Sequence, residues 1–296
     1  MKHSVKVLAY TIFACILWST AFVSIKIGLS YAAPIQLAGL RFMLAGFLVV
    51  PFLRNFRVNL GEIWRNKYQL LRLSFFQTFG LYGLFHLGVD KVSASVSALI
   101  VGAGPLFIGI LASIMKHEKM TRRKAVAIAI GFSGIAVIAF GRMGGLLQAQ
   151  ASWAGIGILL LSNISGSTGN ILISKTKINV HPLFQNAFQM FVGGVALYLF
   201  SFIFETGHFK PQPAEFYFAL LWLGIIAAGG FSLWFLVLNM PGVKVSEISV
   251  WKFILPVLGA MLAWFILPDE KPELIVIIGM FMVSLSLVVM YYKRRI

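Results

Sequence analysis

Val243-Lys-Val-Ser-Glu-Ile-Ser-Val-Trp-Lys252-Phe-Ile-Leu-Pro256, continuing to Ala263-Trp264, reads as a membrane-length apolar helix that carries a lysine. At a rise of about 1.5 Å per residue, Lys252 lies roughly 8 Å along the axis from Glu247, inside the hydrocarbon if that carboxylate marks the interface. An ionisable group at such depth either serves a function or snorkels its charged head back to the interface. Helical spacing puts Val245, Ser249, Lys252, Pro256, Gly259 and Ala263 on one mostly small face and sends Trp251, Leu255, Leu258 and Leu262 elsewhere. Small residues let helix backbones approach closely, and a proline inside a span leaves a carbonyl without its helical donor. The same element occurs earlier: at an offset of 151, Val92 pairs with Val243, Ser95 with Ser246 and Pro105 with Pro256. Val101 then stands where Lys252 stands.

Working outward, the composition excludes a soluble domain, with 59% hydrophobic and 11% charged residues in a chain of 296. The net charge of +16 would suggest nucleic acid in a soluble protein, but the basic residues cluster between apolar stretches, which reads as membrane topology and not as nucleic-acid binding. Cys15 is the single cysteine and lies in an apolar segment, so neither a disulfide framework nor a cysteine metal site is expected.

The apolar pattern predicts an all-α membrane protein with ten spans, at about 5–29, 34–53, 69–89, 93–115, 122–141, 153–174, 182–204, 214–239, 244–267 and 273–292. Eighteen of the basic residues fall on one side of these spans. Five fall on the other (Lys26, Lys91, Arg142, Lys210 and Lys271), and Arg41 and Lys252 are left inside. The positive-inside rule therefore predicts a multi-pass protein of the cell (inner) membrane with both termini cytoplasmic. Repeat matches extend beyond the lysine segment. Ser19-Thr20 and Lys26 match Ser167-Thr168 and Lys175, Pro34 and Gly46 match Pro182 and Gly194, and Glu118-Lys119 matches Glu270-Lys271. Five spans per copy is odd, so the copies (1–147 and 148–296) are expected to insert with opposite orientation. Together they would form one transmembrane domain, as in alternating-access transporters with a site near the midplane.

Trp18-Ser-Thr-Ala-Phe in the first span, Arg41-Phe42 in the second, and a proline-containing fourth span leading to Glu118 resemble the EamA family of the drug/metabolite transporter superfamily. The resemblance covers essentially the whole chain. It implies a ten-helix transporter, often an exporter of amino acids or related metabolites, with a central cavity lined mainly by spans 1, 3, 4, 6, 8 and 9.

The candidate site residues come from these spans. In the sixth, Asn163, Gly166, Ser167, Asn170 and Ser174 share a helical face; they could bind a polar substrate in a wet cavity or act as interhelical glue. Cys15, Trp18, Ser19 and Phe22 share a face of the first span, and Trp18 could stack on a substrate or fill the core. Phe75, Phe79, Tyr82 and His86 form an aromatic stripe in the third span, with His86 near its outer end, and Phe231 and Trp234 lie near Gly229-Gly230 in the eighth. Arg41, about 9 Å into the second span, reads as structural, through snorkelling or a buried partner. Lys252, with Ser249 on its face, is the candidate anion-binding or coupling residue. Pro105 and Pro256 are expected to kink their helices.

No phosphate loop, His-Glu-x-x-His, paired acids within a span or dinucleotide turn is present, so no enzyme, cofactor or metal is expected. A secondary transporter of small metabolites, an amino-acid or zwitterion exporter with protons as a candidate coupling ion, is the leading reading. A multidrug or cationic efflux transporter is the alternative, a channel or membrane-embedded enzyme more distant ones, and monomer and homodimer both remain open.

Overall fold

In a computed structural model, residues 2–53, 56–115, 119–141, 153–175, 180–207, 211–238, 240, 243, 248 and 250–291 are described, and among them the chain is helical, without strands. In order, α1 is Lys2–Leu29, α2 Pro34–Val49, α3 Phe56–Arg65, α4 Lys67–Ser74, α5 Leu81–Asp90, α6 Ala94–Gly102, α7 Gly104–Ile114 and α8 Arg122–Gly141. They are followed by α9 Trp153–Lys175, α10 Pro182–Phe204, α11 Ala214–Leu238, α12 Ile254–Ile266 and α13 Leu274–Tyr291. Among the described residues, six helical stretches are long and apolar enough to cross a membrane, while Ile254–Ile266 and Leu274–Met290 are shorter apolar helices. A helix satisfies its own backbone polar groups, which a bilayer core requires.

Three expected helices are not continuous. Lys67–Asp90 contains a π-helical turn at Phe75–Gly80 between α4 and α5. The wider turn carries more residues than an α turn, so the aromatic stripe does not stay on one face. Phe75 is exposed and stacks on Phe79, which meets Phe200 of α10, whereas Tyr82 turns inward. The other two interruptions fall at matching places in the repeat. Ala103 separates α6 from α7, and a 3-10 turn, Val250–Phe253, precedes α12. Pro105 has no N–H for the carbonyl of Val101, nor Pro256 for that of Lys252, so the chain starts a new helix where a kink was expected. Phe56–Arg65, read as loop from the sequence, is a short helix whose Ile63 packs with Leu70, Val180 and Phe184 while Trp64 is exposed beneath the Lys67 ammonium. That division into an apolar and a basic-aromatic side suits a helix lying along a membrane surface.

The close helix pairings among the described residues include α2 with α10, α8 with α13, α6 with α12, α1 with α11 and α5 with α9. Exchanging the two repeats maps the first three pairings onto themselves and swaps the last two. The contact between α2 and α10 shows the exchange at atomic scale. A Cβ on Gly46 would lie 2.7 Å from that of Phe191, and one on Gly194 would lie 2.5 Å from the backbone nitrogen of Met43. The offset of 148 carries Gly46 to Gly194 and Met43 to Phe191, so these contacts are images of one another.

At one end of the bundle Lys26, Asp90, Lys91, Asp269 and Glu270 line a common recess. Glu270 accepts hydrogen bonds from the Ala94 and Ser95 amides at the start of α6, and Glu205 accepts from the Ile35 and Gln36 amides at the start of α2. Each carboxylate caps amides that have no partner within their own helix and sits at the positive end of the helix dipole.

Candidate functional site

A cavity of about 120 Å³ lies where the interrupted helices meet α1, α2, α5, α9 and α11. The helix crossing that frames it is tight: a Cβ on Gly102 would lie 2.6 Å from Pro256, and one on Gly259 would lie 2.9 Å from Ala98. Of the small face read from the sequence, Pro256, Gly259 and Ala263 are buried, while Val245 and Ser249 lie outside the described residues. Leu255, expected to point elsewhere, lines the cavity, because the 3-10 turn changes the angular position of the residues around it.

Seven of the eight residues named from the sequence, Lys252, Asn163, Ser167, Asn170, Trp18, Tyr82 and Trp234, line this cavity together; Ser249 lies outside the described residues. The Lys252 ammonium sits over the Trp234 ring, 4.4 Å from its centroid, and 5.8 Å from that of Trp18. Both placements suit the attraction between a cation and an aromatic face. Trp18 is held close to Gly230, where a Cβ would lie 2.6 Å from the indole nitrogen. From there aromatic contacts run from Trp18 to Phe231 (5.1 Å between centroids), from Phe231 to Tyr82 (5.7 Å) and from Tyr82 to Phe42 (4.3 Å).

At the far end of this wall stands Arg41. Its guanidinium carbon is 5.0 Å from the Phe42 centroid and 5.7 Å from that of Tyr82. The residue is only 2% exposed, so it does not snorkel, and its Nε and Nη1 are buried without a hydrogen-bond partner. Sequence reasoning missed its place in the cavity, because helical rise measures depth and says nothing about direction around the axis. The available signal was that Arg41 and Lys252 are the two cations left within spans. Gln77, on the π-helical turn, also lines the cavity, with a buried Oε1 lacking a partner. His86 is fully buried by protein: its Nδ1 meets the Tyr82 carbonyl at 2.9 Å, and since a carbonyl only accepts, that nitrogen carries the proton.

The polar face of α9 divides between two roles. Asn163 donates at 2.7 Å to the Ile100 carbonyl near the end of α6, which also accepts from the Ala103 amide, and Asn170 donates to the Gly166 carbonyl within its own helix. Ser167 makes only a long contact of 3.4 Å with the Gly104 carbonyl, beside the break. Ser19 and Cys15 are buried, the hydroxyl donating to the Cys15 carbonyl, and neither lines the cavity. No Asp or Glu is among the described residues lining the cavity, and no cluster of His, Cys, Asp and Glu among the described residues could hold a metal. The site thus presents two cations, an aromatic wall and amide oxygens, and it can hold an anionic or zwitterionic solute with an apolar body.

Helices apolar enough to cross a membrane, a sequence repeat and a cavity lined from both copies suit the class of membrane transporters. Residues 5–140 and 153–292 each match the EamA-like transporter family, and the chain belongs to that family, within the drug/metabolite transporter superfamily. It is 25% identical over 288 residues to an uncharacterized transporter, YvbV, of Bacillus subtilis, covering 96% of this chain and 90% of that one. It is 28% identical over 160 residues to a probable amino-acid metabolite efflux pump of Salmonella typhimurium, covering 54% and 50% of the two chains. A solved crystal structure superposes with a TM-score of 0.67 over 96% of this chain and 95% of its own, at 17% identity, a likeness of fold.

Proposed function

We propose that this protein is a secondary transporter of the inner membrane that exports small amino-acid-like metabolites by alternating access, with ten spans in two inverted repeats (1–147 and 148–296) and both termini cytoplasmic. The observation that carries the substrate reading is the placement of Lys252 and Arg41 on one aromatic-walled cavity with no lining acid among the described residues. Such a site attracts a carboxylate and disfavours the cationic drugs of the multidrug alternative. The similarity to a probable amino-acid metabolite efflux pump points the same way. Two features support the inverted arrangement: packing that maps onto itself when repeats are exchanged, and helix ends carrying Lys26, Lys91 and Glu270 gathered at one end of the bundle. The broken helices at matching positions suit a midplane site between rocking halves.

Counterflow of radiolabelled amino acids in proteoliposomes tests this. Lys252→Met removes the charge and keeps the length, so flux should fall strongly while expression and detergent stability stay near wild type; Lys252→Arg should retain part of it. Wild-type flux in the Met variant would leave Lys252 a structural cation held by Trp234 and Trp18. Exchange of a cationic dye in place of amino acids would favour multidrug efflux.

A further inference from the structure

Resting on that reading of the cavity, we propose that the site selects solutes with two anionic groups, small dicarboxylates with acidic amino acids among them. Arg41 would anchor the second carboxylate. A zwitterion carries one negative group, and Lys252 alone would answer it. The cavity has a second cation at the other end of the aromatic wall, on a different helix and over different rings: Lys252 over Trp234 and Trp18, Arg41 over Phe42 and Tyr82.

Arg41 cannot be explained as half of an ion pair, since among the described residues no salt bridge or hydrogen bond involves it, and two of its nitrogens are buried and unpartnered. Buried guanidinium donors without acceptors are costly, and the nearby rings offer only their faces. A carboxylate arriving through the cavity supplies the missing acceptors as charge-assisted bonds, the interaction a guanidinium makes best. Gln77 adds an unpartnered buried acceptor on the same cavity, suited to the ammonium of an acidic amino acid. Two carboxylates on one solute would give each of the two cations a partner, with the apolar linker lying along the aromatic rings between them.

The test compares glutamate with glutamine and succinate with succinamate in proteoliposomes holding the full-length protein. Members of each pair have nearly the same shape and differ by one negative charge. Wild type should favour the member with two carboxylates at least about tenfold in counterflow, the scale of one hydrogen bond to a charged group. Arg41→Met should bring that ratio toward one in both pairs, and Arg41→Lys should restore part of it. A purely structural Arg41 would change the amount of folded protein and leave the ratio intact. Equal handling of both members by wild type would overturn the proposal even if no Arg41 variant folds, and so would a Met variant that keeps the full preference. Counterflow of glutamine and succinamate alone would overturn the dicarboxylate reading and leave the amino-acid transporter standing. Counterflow of none of the four, with other amino acids still exchanged, would likewise overturn the dicarboxylate reading alone, and exchange of no amino acid at all would overturn both.

Discussion

The interrupted helix of the first repeat and that of the second share a proline at the same repeat position and a break in its helical hydrogen bonding. They differ at two pairs of cavity-lining positions, Val101 against Lys252 and Gly104 against Leu255, and the first of these adds a charge. The shared features belong to the scaffold, because a proline without an N–H breaks either helix in the same way. The difference belongs to the site. Duplication builds two corresponding walls, and the change at the lysine position puts one of the cavity's two cations on the second of them.

The largest expected effect comes from moving the charge between the two helices. Lys252→Val should lower counterflow about 10- to 100-fold, as loss of a charged hydrogen-bonding group does. Adding Val101→Lys should recover part of the flux, because residue 101 lines the same cavity. No recovery in the double variant, with both proteins folded, would mean that the second helix contributes more than a lysine. A smaller effect, on stability, is expected where the helices cross. Gly102→Leu would drive a side chain into Pro256, and overpacking of this kind costs about 1–3 kcal/mol, read as a drop in detergent Tm with ligand absent. An unchanged Tm would show that the crossing is looser than its geometry. The smallest effect separates glue from site on α9: Asn163→Ala should destabilise by about 1 kcal/mol through loss of the Ile100 bond, whereas Ser167→Ala should leave Tm within experimental error. A larger loss from the serine would reverse the assignment.

Most of the cavity was legible because polar and small residues stand out against an apolar background. Asn163, Ser167 and Asn170 keep their common face because α9 is continuous from Trp153 to Lys175. Periodicity fails where the backbone leaves the α-helical repeat. The π-helical turn at Phe75–Gly80 and the 3-10 turn at Val250–Phe253 re-aim Phe79, Tyr82 and Leu255, and hydrogen-bond register of that kind leaves no mark in composition. For Arg41 the sequence left snorkelling and a buried structural role open, and the structure buries it on the cavity. What distinguishes a snorkelling arginine from a buried one is which neighbours surround it, and those neighbours, Phe42 and Tyr82, lie on α2 and α5.

The carboxylates at the helix starts have a kinetic consequence. Glu205 and Glu270 belong to the second repeat, and the amides they hold, at Ile35, Gln36, Ala94 and Ser95, belong to the first. If the halves separate at this end, four charge-assisted hydrogen bonds must be exchanged for water before a path to the cavity opens. The activation barrier for that step then lies far from the substrate, and the turnover number and the apparent affinity become separately adjustable. Weakening the Glu270 clasp, as in Glu270→Gln, should shorten the dwell time of the closed state while the equilibrium affinity of the cavity for its solute stays the same.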